Sequence, residues 1–157
     1  MQRPDLPSPP FTGGCHCGAV RYVYAARPLA LNACHCGDCK KFTGATHSEV
    51  LIGDRAAFSF TGAVERYRKR GDSGREIDVV RCAKCGARSW HDPVTAPYVF
   101  IQAGGLDDNS WFLPTGHIWV EKAAPGQFFA QDSVRIVGQP SDRHVLFDAF
   151  QRAYPDY

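Results

Sequence analysis

Seven cysteines in three short clusters constrain this chain more than any other feature of its sequence. A first pair is Cys15 and Cys17, a triplet is Cys34, Cys36 and Cys39, and a second pair is Cys82 and Cys85. Cysteines that serve only as small buried hydrophobes would be scattered, so clustering indicates metal ligands. The number is odd, and the start of the chain, MQRPDLPSPPF, has no apolar signal-peptide core. We therefore expect reduced, metal-binding thiols in a cytoplasmic protein.

The composition is that of one globular domain of ordinary size. The 157 residues, 44% of them hydrophobic, suffice for one core. The 18 basic and 16 acidic residues are too evenly balanced for a non-specific nucleic-acid binder. No apolar run approaches the roughly 18 residues that a transmembrane helix needs. We predict a flexible lead-in over 1–12, a single domain over 13–157, and neither nucleic acid nor membrane as a partner; the oligomeric state stays open.

Short runs of alternating apolar and polar residues predict a mainly β fold. Tyr22 and Tyr24 share one face of a strand, for instance, whereas Arg21 and Val23 share the other. Runs of this kind favour antiparallel sheets with one solvated face. The predicted strands are 19–24, 48–52, 56–60, 64–68, 76–80, 98–103 and 117–121.

Two stretches are predicted to be helical. A short turn follows Cys39, in the run KKFTG. A second helix is expected near the C-terminus, with Ser141 as its N-cap. One side of that helix would carry Val145, Leu146, Ala149 and Phe150.

The spacing of the cysteines predicts two zinc ions per chain but leaves their partition open. One partition joins the first and second pairs into a closed tetrahedral site, and the triplet then has an open fourth position. The alternative joins Cys36 and Cys39 with the second pair, as in a zinc ribbon, and leaves Cys15, Cys17 and Cys34 as the open set. Loop-closure entropy favours the first, because three thiols in one six-residue turn reach an ion at little cost.

The chain resembles the glutathione-dependent formaldehyde-activating enzyme family, which also contains centromere-protein-V-like members. The motifs that carry the resemblance are GGCHCGAVRY, CHCGDCKKFTGA, RCAKCG and GGLDD…GHIWVEKAAP. It implies a β-tent fold of antiparallel sheets, one zinc held by the first and second pairs, and another held by the triplet. The chain departs from the family's pattern at Thr46, His47 and Ser48, where an aromatic residue is usual, and at Gly126, where tryptophan is frequent.

The resemblance also implies a zinc-dependent carbon–sulfur lyase or synthase. Three thiolates and an open position carry net negative charge, which suits an incoming thiol held as thiolate better than activation of water. In the family that thiol is glutathione, and its addition to formaldehyde gives S-hydroxymethylglutathione. The expected catalytic residues are Cys34, Cys36 and Cys39, with His47 as a candidate proton relay or substrate contact.

The sequence also bears on the roles of two histidines and on two other function classes. His16 and His35 alternate with ligand cysteines, so both are expected to point away from the metal. A zinc-stabilised binding module without catalysis would need only the closed site, and the three extra cysteines argue against it. A thiol-redox enzyme would need a free reactive cysteine, which a metal count leaving one thiol uncoordinated would indicate.

Overall fold

Two β-sheets and two α-helices make up the part of the chain, residues 2–71 and 74–157, that the computed structural model describes. The strands are β1 (Phe11–Gly14), β2 (Arg21–Tyr24), β3 (Ala30–Cys34), β4 (Ser48–Asp54), β5 (Phe58–Thr61), β6 (Val64–Arg70), β7 (Glu76–Cys82), β8 (Arg88–Pro93), β9 (Tyr98–Gln102), β10 (Gly116–Ile118) and β11 (Val134–Ile136). The helices are α1 (Gly37–Thr43) and α2 (His144–Ala153). Three 3-10 turns span Arg55–Ala57, Ala103–Gly105 and Val120–Lys122.

The predicted mainly β fold with a C-terminal helix is confirmed. A three-stranded sheet has the order β1-β2-β5, and an eight-stranded sheet has the order β11-β10-β3-β4-β9-β8-β7-β6. Most neighbouring strands are antiparallel, as expected, but β10 runs parallel to both β3 and β11. None of the helices in the described part of the chain has the length and apolar character needed to cross a membrane.

Five of the predicted strands coincide with observed ones, and alternation in β2 is as predicted. Tyr22 and Tyr24 are buried, whereas Arg21 and Val23 are exposed. The strand predicted at 56–60 begins only at Phe58, because Arg55–Ala57 form a 3-10 turn capped by Asp54 Oδ1.

The strand predicted at 117–121 was wrong beyond Ile118. Trp119 adopts the left-handed conformation, with φ at 58°, and Val120–Lys122 continue as a 3-10 turn. A bulky residue with positive φ is strained and breaks the strand. The ammonium of Lys122 lies 4.2 Å from the centre of the Trp119 ring, and this contact favours the turn.

Strands β1, β3, β8 and β11 were not predicted. β3 lies inside the eight-stranded sheet, where its residues Ala30–Ala33 are buried on both faces. A strand buried on both faces shows no alternation, so the sequence pattern missed it. β1 begins at Phe11, two residues before the predicted domain boundary, and pairs with β2.

The predicted boundaries of both helices are corrected. α1 starts at Gly37, before Cys39, with Cys36 as its N-cap. α2 starts at His144, where the backbone N–H donates to Asp142 Oδ1 at 2.9 Å, so Ser141 is not the cap. The buried face of α2 carries Leu146, Ala149 and Phe150, whereas Val145 is 38% exposed.

Trp90 links the two sheets. Its ring, on β8 of the eight-stranded sheet, is fully buried. The ring centre lies 5.0 Å from that of Phe58 and 4.7 Å from that of Phe60, both on β5 of the other sheet. This aromatic contact, with Tyr22 at 6.2 Å, fixes the sheets against each other.

The observed face of α2 predicts unequal effects of two truncations. Phe150→Ala should lower the free energy of unfolding by about 3–5 kcal/mol, because it empties a fully buried aromatic site. Val145→Ala, the matched control on the exposed face, should change it by less than about 0.5 kcal/mol. Urea unfolding of both variants measures the difference, and equal losses would contradict the observed helix face.

Candidate metal centres and the adjoining cavity

The first and second pairs of cysteines come together in what we name the four-thiol group. The Sγ atoms of Cys15, Cys17, Cys82 and Cys85 all lie within 4.8 Å of one another. Cys17 Sγ lies 3.6 Å from Cys15 Sγ and 3.9 Å from Cys82 Sγ. Tetrahedral ligands at a zinc–sulfur distance of about 2.3 Å would be separated by about 3.8 Å. The donor set therefore fits one tetrahedral ion, and the distances are too long for a disulfide.

Tight turns aim these thiols at a common point. The backbone N–H of Val20 donates to Cys15 Sγ at 3.2 Å, and that of Lys84 donates to Cys82 Sγ at 3.3 Å. Gly18 and Gly86 close the two turns with φ of 77° and 73°, a conformation that a side chain would strain. Hydrogen bonds from backbone N–H groups stabilise sulfur as thiolate. Each turn therefore stabilises its cysteine as a thiolate, the form that binds a metal ion.

The triplet forms a second cluster, the three-thiol group. Cys34 is the last residue of β3, Cys36 is the N-cap of α1, and Cys39 lies in the first turn of that helix. Their Sγ atoms lie within 4.8 Å of one another. The N–H of Cys39 donates to Cys36 Sγ at 3.4 Å, so the start of the helix itself shapes the group.

The geometry groups the cysteines as in the first of the two partitions that the spacing allowed. Among the described residues, no cluster of ligand atoms joins Cys36 and Cys39 with the second pair. The ring nitrogens of His16 and His35 belong to neither cluster. The arrangement provides one four-ligand and one three-ligand site.

Hydrogen bonding within the three-thiol group favours a thiolate at Cys36. The thiols of Cys34 and Cys39 hydrogen-bond to Cys36, which holds the pKa of Cys36 far below its usual range. Hydrogen bonds with Cys36 and Cys39 raise the pKa of Cys34, and the bond with Cys36 contributes most. Without a metal the group therefore concentrates negative charge on Cys36. A divalent cation would stabilise all three sulfurs as thiolates.

Arg88 places a positive charge beside the three-thiol group. Burial lowers the pKa of this guanidinium, and the charges of the three thiols oppose that shift. Its Nη2 donates to Ser48 Oγ at 2.8 Å and also to Gln102 Oε1, and Ser48 Oγ donates to Gln102 Oε1 at 3.0 Å. These bonds hold the cation in place. The sequence analysis missed Arg88, because the start of β8 showed no strand pattern. The available signal was the position of Arg88, three residues after Cys85.

His91 completes this network as a neutral base. Arg88 Nη1 donates to His91 Nε2 at 3.1 Å, which requires that nitrogen to be unprotonated. Burial, followed by the charges of Arg88 and Lys69, lowers the pKa of His91 to about 3. The imidazole therefore accepts from Arg88 throughout the neutral pH range.

His35 lies in a buried cluster of imidazoles. His35 Nε2 lies 3.2 Å from His117 Nδ1, and one nitrogen donates while the other accepts. Burial lowers the pKa of both residues to about 4. The ring of Phe129 contacts both imidazoles. Both imidazoles are therefore neutral at neutral pH.

His47 lies beside the three-thiol group but faces a different space. Its Nδ1 lies 3.0 Å from Thr46 Oγ1, and its Nε2 lies 3.4 Å from Glu49 Oε1. It borders an open groove of about 630 Å³ together with Cys15 and Arg88. The structure therefore does not bring His47 into the cavity that the three thiols border.

That cavity is separate and smaller. It has a volume of about 120 Å³, and Cys34, Cys36 and Cys39 all form part of its wall. Phe42 and Ser48 border both the cavity and the groove, so the two spaces are neighbours. A ligand that reaches the three thiols could therefore extend in two directions.

Comparisons with known proteins place these clusters in a family context. A sequence model of the family described as glutathione-dependent formaldehyde-activating enzyme matches residues 10–122. A Halomonas elongata protein that carries the provisional name of such an enzyme is 30% identical over 107 residues, which are 62% of this chain and 66% of that relative. The chain thus spans slightly less than two thirds of its length. A crystal structure of a Rhodobacter sphaeroides protein has 20% identity and a TM-score of 0.48, and the match covers 61% of this chain and 87% of that one.

The depressed pKa of His91 predicts a loss of stability in mild acid. In the unfolded chain a histidine titrates near pH 6.5, whereas in the folded chain His91 titrates near pH 3. As the pH falls below about 6.5, the unfolded state binds the proton first, so stability falls by up to about 1.4 kcal/mol per pH unit. His91→Gln, which keeps an acceptor for Arg88, should remove this part of the decline.

Urea unfolding at several values between pH 7 and pH 4 measures the two profiles. Metal release in acid affects wild type and His91→Gln alike, so only the difference between their slopes reports on His91. Parallel profiles would show that His91 takes up a proton without cost in the folded protein.

Proposed function

The chain belongs to the glutathione-dependent formaldehyde-activating enzyme family, and we propose that it makes or breaks the carbon–sulfur bond of a thiol–aldehyde adduct of the S-hydroxymethylglutathione type. The observation that carries this proposal is the three-thiol group, whose cysteines all border one cavity. A cluster with three ligands leaves a fourth position for an incoming sulfur. In the forward direction a sulfur–carbon bond forms and the thiol proton is transferred to the carbonyl oxygen.

We propose zinc in both groups, two ions per chain. Thiolate donors favour zinc over hard cations such as magnesium or calcium, and the sulfur spacing of the four-thiol group supports a tetrahedral ion. Zinc in the three-thiol group would lower the pKa of a bound thiol and hold it as thiolate at neutral pH. The four-thiol group has its ligands complete and would stabilise the fold.

The protein's own residues orient and balance this chemistry. Cys34, Cys36 and Cys39 hold the centre, and the guanidinium of Arg88 offsets the negative charge that the sulfurs accumulate. Ser48 and Gln102 fix that guanidinium by hydrogen bonds. Its charge therefore stays beside the thiols throughout the reaction.

The peptide part of glutathione would lie in the open groove. That groove, of about 630 Å³, is within the usual size of a small-molecule site. His47, on its wall, is proposed to contact substrate there, and its Nε2 lies 3.4 Å from Glu49 Oε1. A reducing compartment such as the cytoplasm suits this proposal, since all seven cysteines are free thiols.

Two non-lyase functions have less support. A non-catalytic binding module needs no cavity beside a second thiol cluster, and this chain has one. A thiol-redox enzyme needs a free reactive cysteine, and a zinc ion in each group would leave none of the seven cysteines uncoordinated.

We expect the two sites to differ in their effect on the fold. Reduced wild type should contain two zinc ions, and Cys36→Ser should remain folded with one ion fewer, because its partners lie in one short turn. Cys82→Ser should unfold or melt far below wild type, because it breaks a cluster that joins segments 65 positions apart.

Metal analysis, thiol titration and thermal melting of each variant test this division. His16→Ser is the matched control, since His16 is exposed between two ligand cysteines. Equal losses of melting temperature in Cys36→Ser and Cys82→Ser would contradict it, as would one zinc and three freely titrating thiols in wild type.

We expect glutathione to bind through its sulfur. S-methylglutathione keeps both carboxylates but cannot become a thiolate, so it should bind at least about tenfold more weakly. Cys39→Ser should lose this preference while it remains folded. Calorimetry on zinc-loaded protein between pH 7 and pH 8.5 gives both affinities, and unchanged glutathione affinity in Cys39→Ser would overturn the zinc–thiolate proposal.

A further inference from the structure

The cavity beside the three-thiol group is apolar over most of its wall. Beyond the thiols, side chains from the eight-stranded sheet and α2 enclose it, namely Val50, Ile52, Ile77, Phe100, Ile118 and Leu146. Such a wall holds aliphatic or aromatic groups, and it offers few partners to a peptide. The open groove is the more polar of the two spaces, whereas the cavity is suited to hydrocarbon.

The size of the cavity decides what could fill it. At about 120 Å³, it approaches the apolar cavity of about 150 Å³ that holds benzene in an engineered protein. Formaldehyde has a single carbon and would leave most of this volume empty. Glutathione, a tripeptide, is far too large to enter. A hydrocarbon group of about six carbons matches the volume.

Asn32 carries a buried side-chain oxygen that lacks a hydrogen-bond partner among the described residues. It lies on β3 two residues before Cys34, so the two side chains share one face of the strand. Asn32 lines the cavity and is 3% exposed, and its buried Oδ1 has no hydrogen-bond partner among the described residues. A buried acceptor without a donor costs about 1–3 kcal/mol. A ligand that brought a donor to this oxygen would remove that cost.

The charged residues on the wall are already engaged. Lys69 forms an ion pair with Asp38. The guanidinium of Arg143 lies 4.7 Å from the centre of the Phe100 ring. His91, also on the wall, is neutral because it accepts from Arg88. These contacts leave hydrocarbon as the chemistry that best matches the interior.

We infer that the cavity binds the side chain of the aldehyde, and that the preferred aldehyde carries an apolar chain or ring of about six carbons instead of being formaldehyde. This inference rests on the proposed function of the three-thiol group. The thiol sulfur bonds to the carbonyl carbon, the thiol proton moves to the carbonyl oxygen, and a hydroxyl results. That hydroxyl donates to Asn32 Oδ1 while the apolar chain occupies the cavity.

Straight-chain alkanethiols test the cavity directly, because they present a sulfur and a hydrocarbon tail as the adduct does. Affinities of ethanethiol, butanethiol, hexanethiol and decanethiol for the zinc-loaded protein would be measured by calorimetry. We expect affinity to rise about fourfold per methylene up to about six carbons and then to level off, since each buried methylene contributes about 0.8 kcal/mol. Equal affinities along the series would overturn the inference and leave the proposed function intact. Failure of every thiol, glutathione included, would overturn both.

A cavity-filling variant localises the effect. Val50→Phe should reduce the ratio of hexanethiol to ethanethiol affinity to about one while it retains ethanethiol binding. Val23→Phe, on the exposed face of β2 in the other sheet, is the matched control and should keep the wild-type ratio. An unchanged ratio in Val50→Phe would place the hydrocarbon tail elsewhere. If Val50→Phe does not fold, the wild-type series alone still decides the question.

The contact with Asn32 is tested by turnover. Exchange of hexanal with its glutathione adduct, followed by NMR, should be accelerated by wild type more than exchange of formaldehyde. Asn32→Leu should keep hexanethiol affinity, since that ligand has no hydroxyl, but should lose at least tenfold of the acceleration with hexanal. Acceleration of formaldehyde exchange alone would overturn the preference for apolar aldehydes, and full activity of Asn32→Leu would overturn the hydroxyl contact.

Discussion

The four-thiol group connects the two sheets on which the rest of the structure depends. Cys15 follows β1 of the three-stranded sheet directly, and Cys82 ends β7 of the eight-stranded sheet. The Sγ atoms of both pairs meet within 4.8 Å, next to the aromatic contact between Trp90 and β5. A cluster that joins distant segments gains most from a metal, because the ion replaces a large loss of chain entropy. A metal ion bound at this position would therefore couple metal binding to the stability of the fold.

The three-thiol group has a different energetic character. Its ligands come from one turn, so the fold does not need a metal there to bring them together. The negative charge of its thiolates does require compensation. Arg88 on β8 supplies a positive charge beside them, within a hydrogen-bond network that also contains His91. Buried cations without a carboxylate partner are costly, and proteins retain them where negative charge develops or is bound. The network supports our proposal that the three-thiol group is the chemical centre and the four-thiol group the structural one.

Two neighbouring spaces next to the three-thiol group would, in our proposal, hold different parts of the substrate. Polar and charged side chains line part of the open groove, whereas apolar side chains of β4, β7, β9, β10 and α2 line most of the cavity. In the proposed function, the thiol enters from the groove. In our inference, the volume and the apolar wall of the cavity add a requirement that a one-carbon aldehyde does not meet. Specificity within the family can therefore lie in the cavity and leave the cysteines unchanged.

The sequence by itself determined the mainly β class, the alternation of β2 and the existence of two thiol clusters, because these follow from local spacing and from the period of a strand. The sequence did not reveal β3, because a strand that is buried on both faces loses its alternation. It also did not reveal that β10 ends before Trp119, where a contact with Lys122 favours the left-handed conformation. It left two partitions of the cysteines open, because the pairs at 15/17 and 82/85 are 65 positions apart, and only the packing of the sheets brings them together. The positions of Arg88, His91 and Asn32 around the triplet were likewise decided by tertiary structure. Those side chains come from separate strands, and no local pattern records which strands become neighbours.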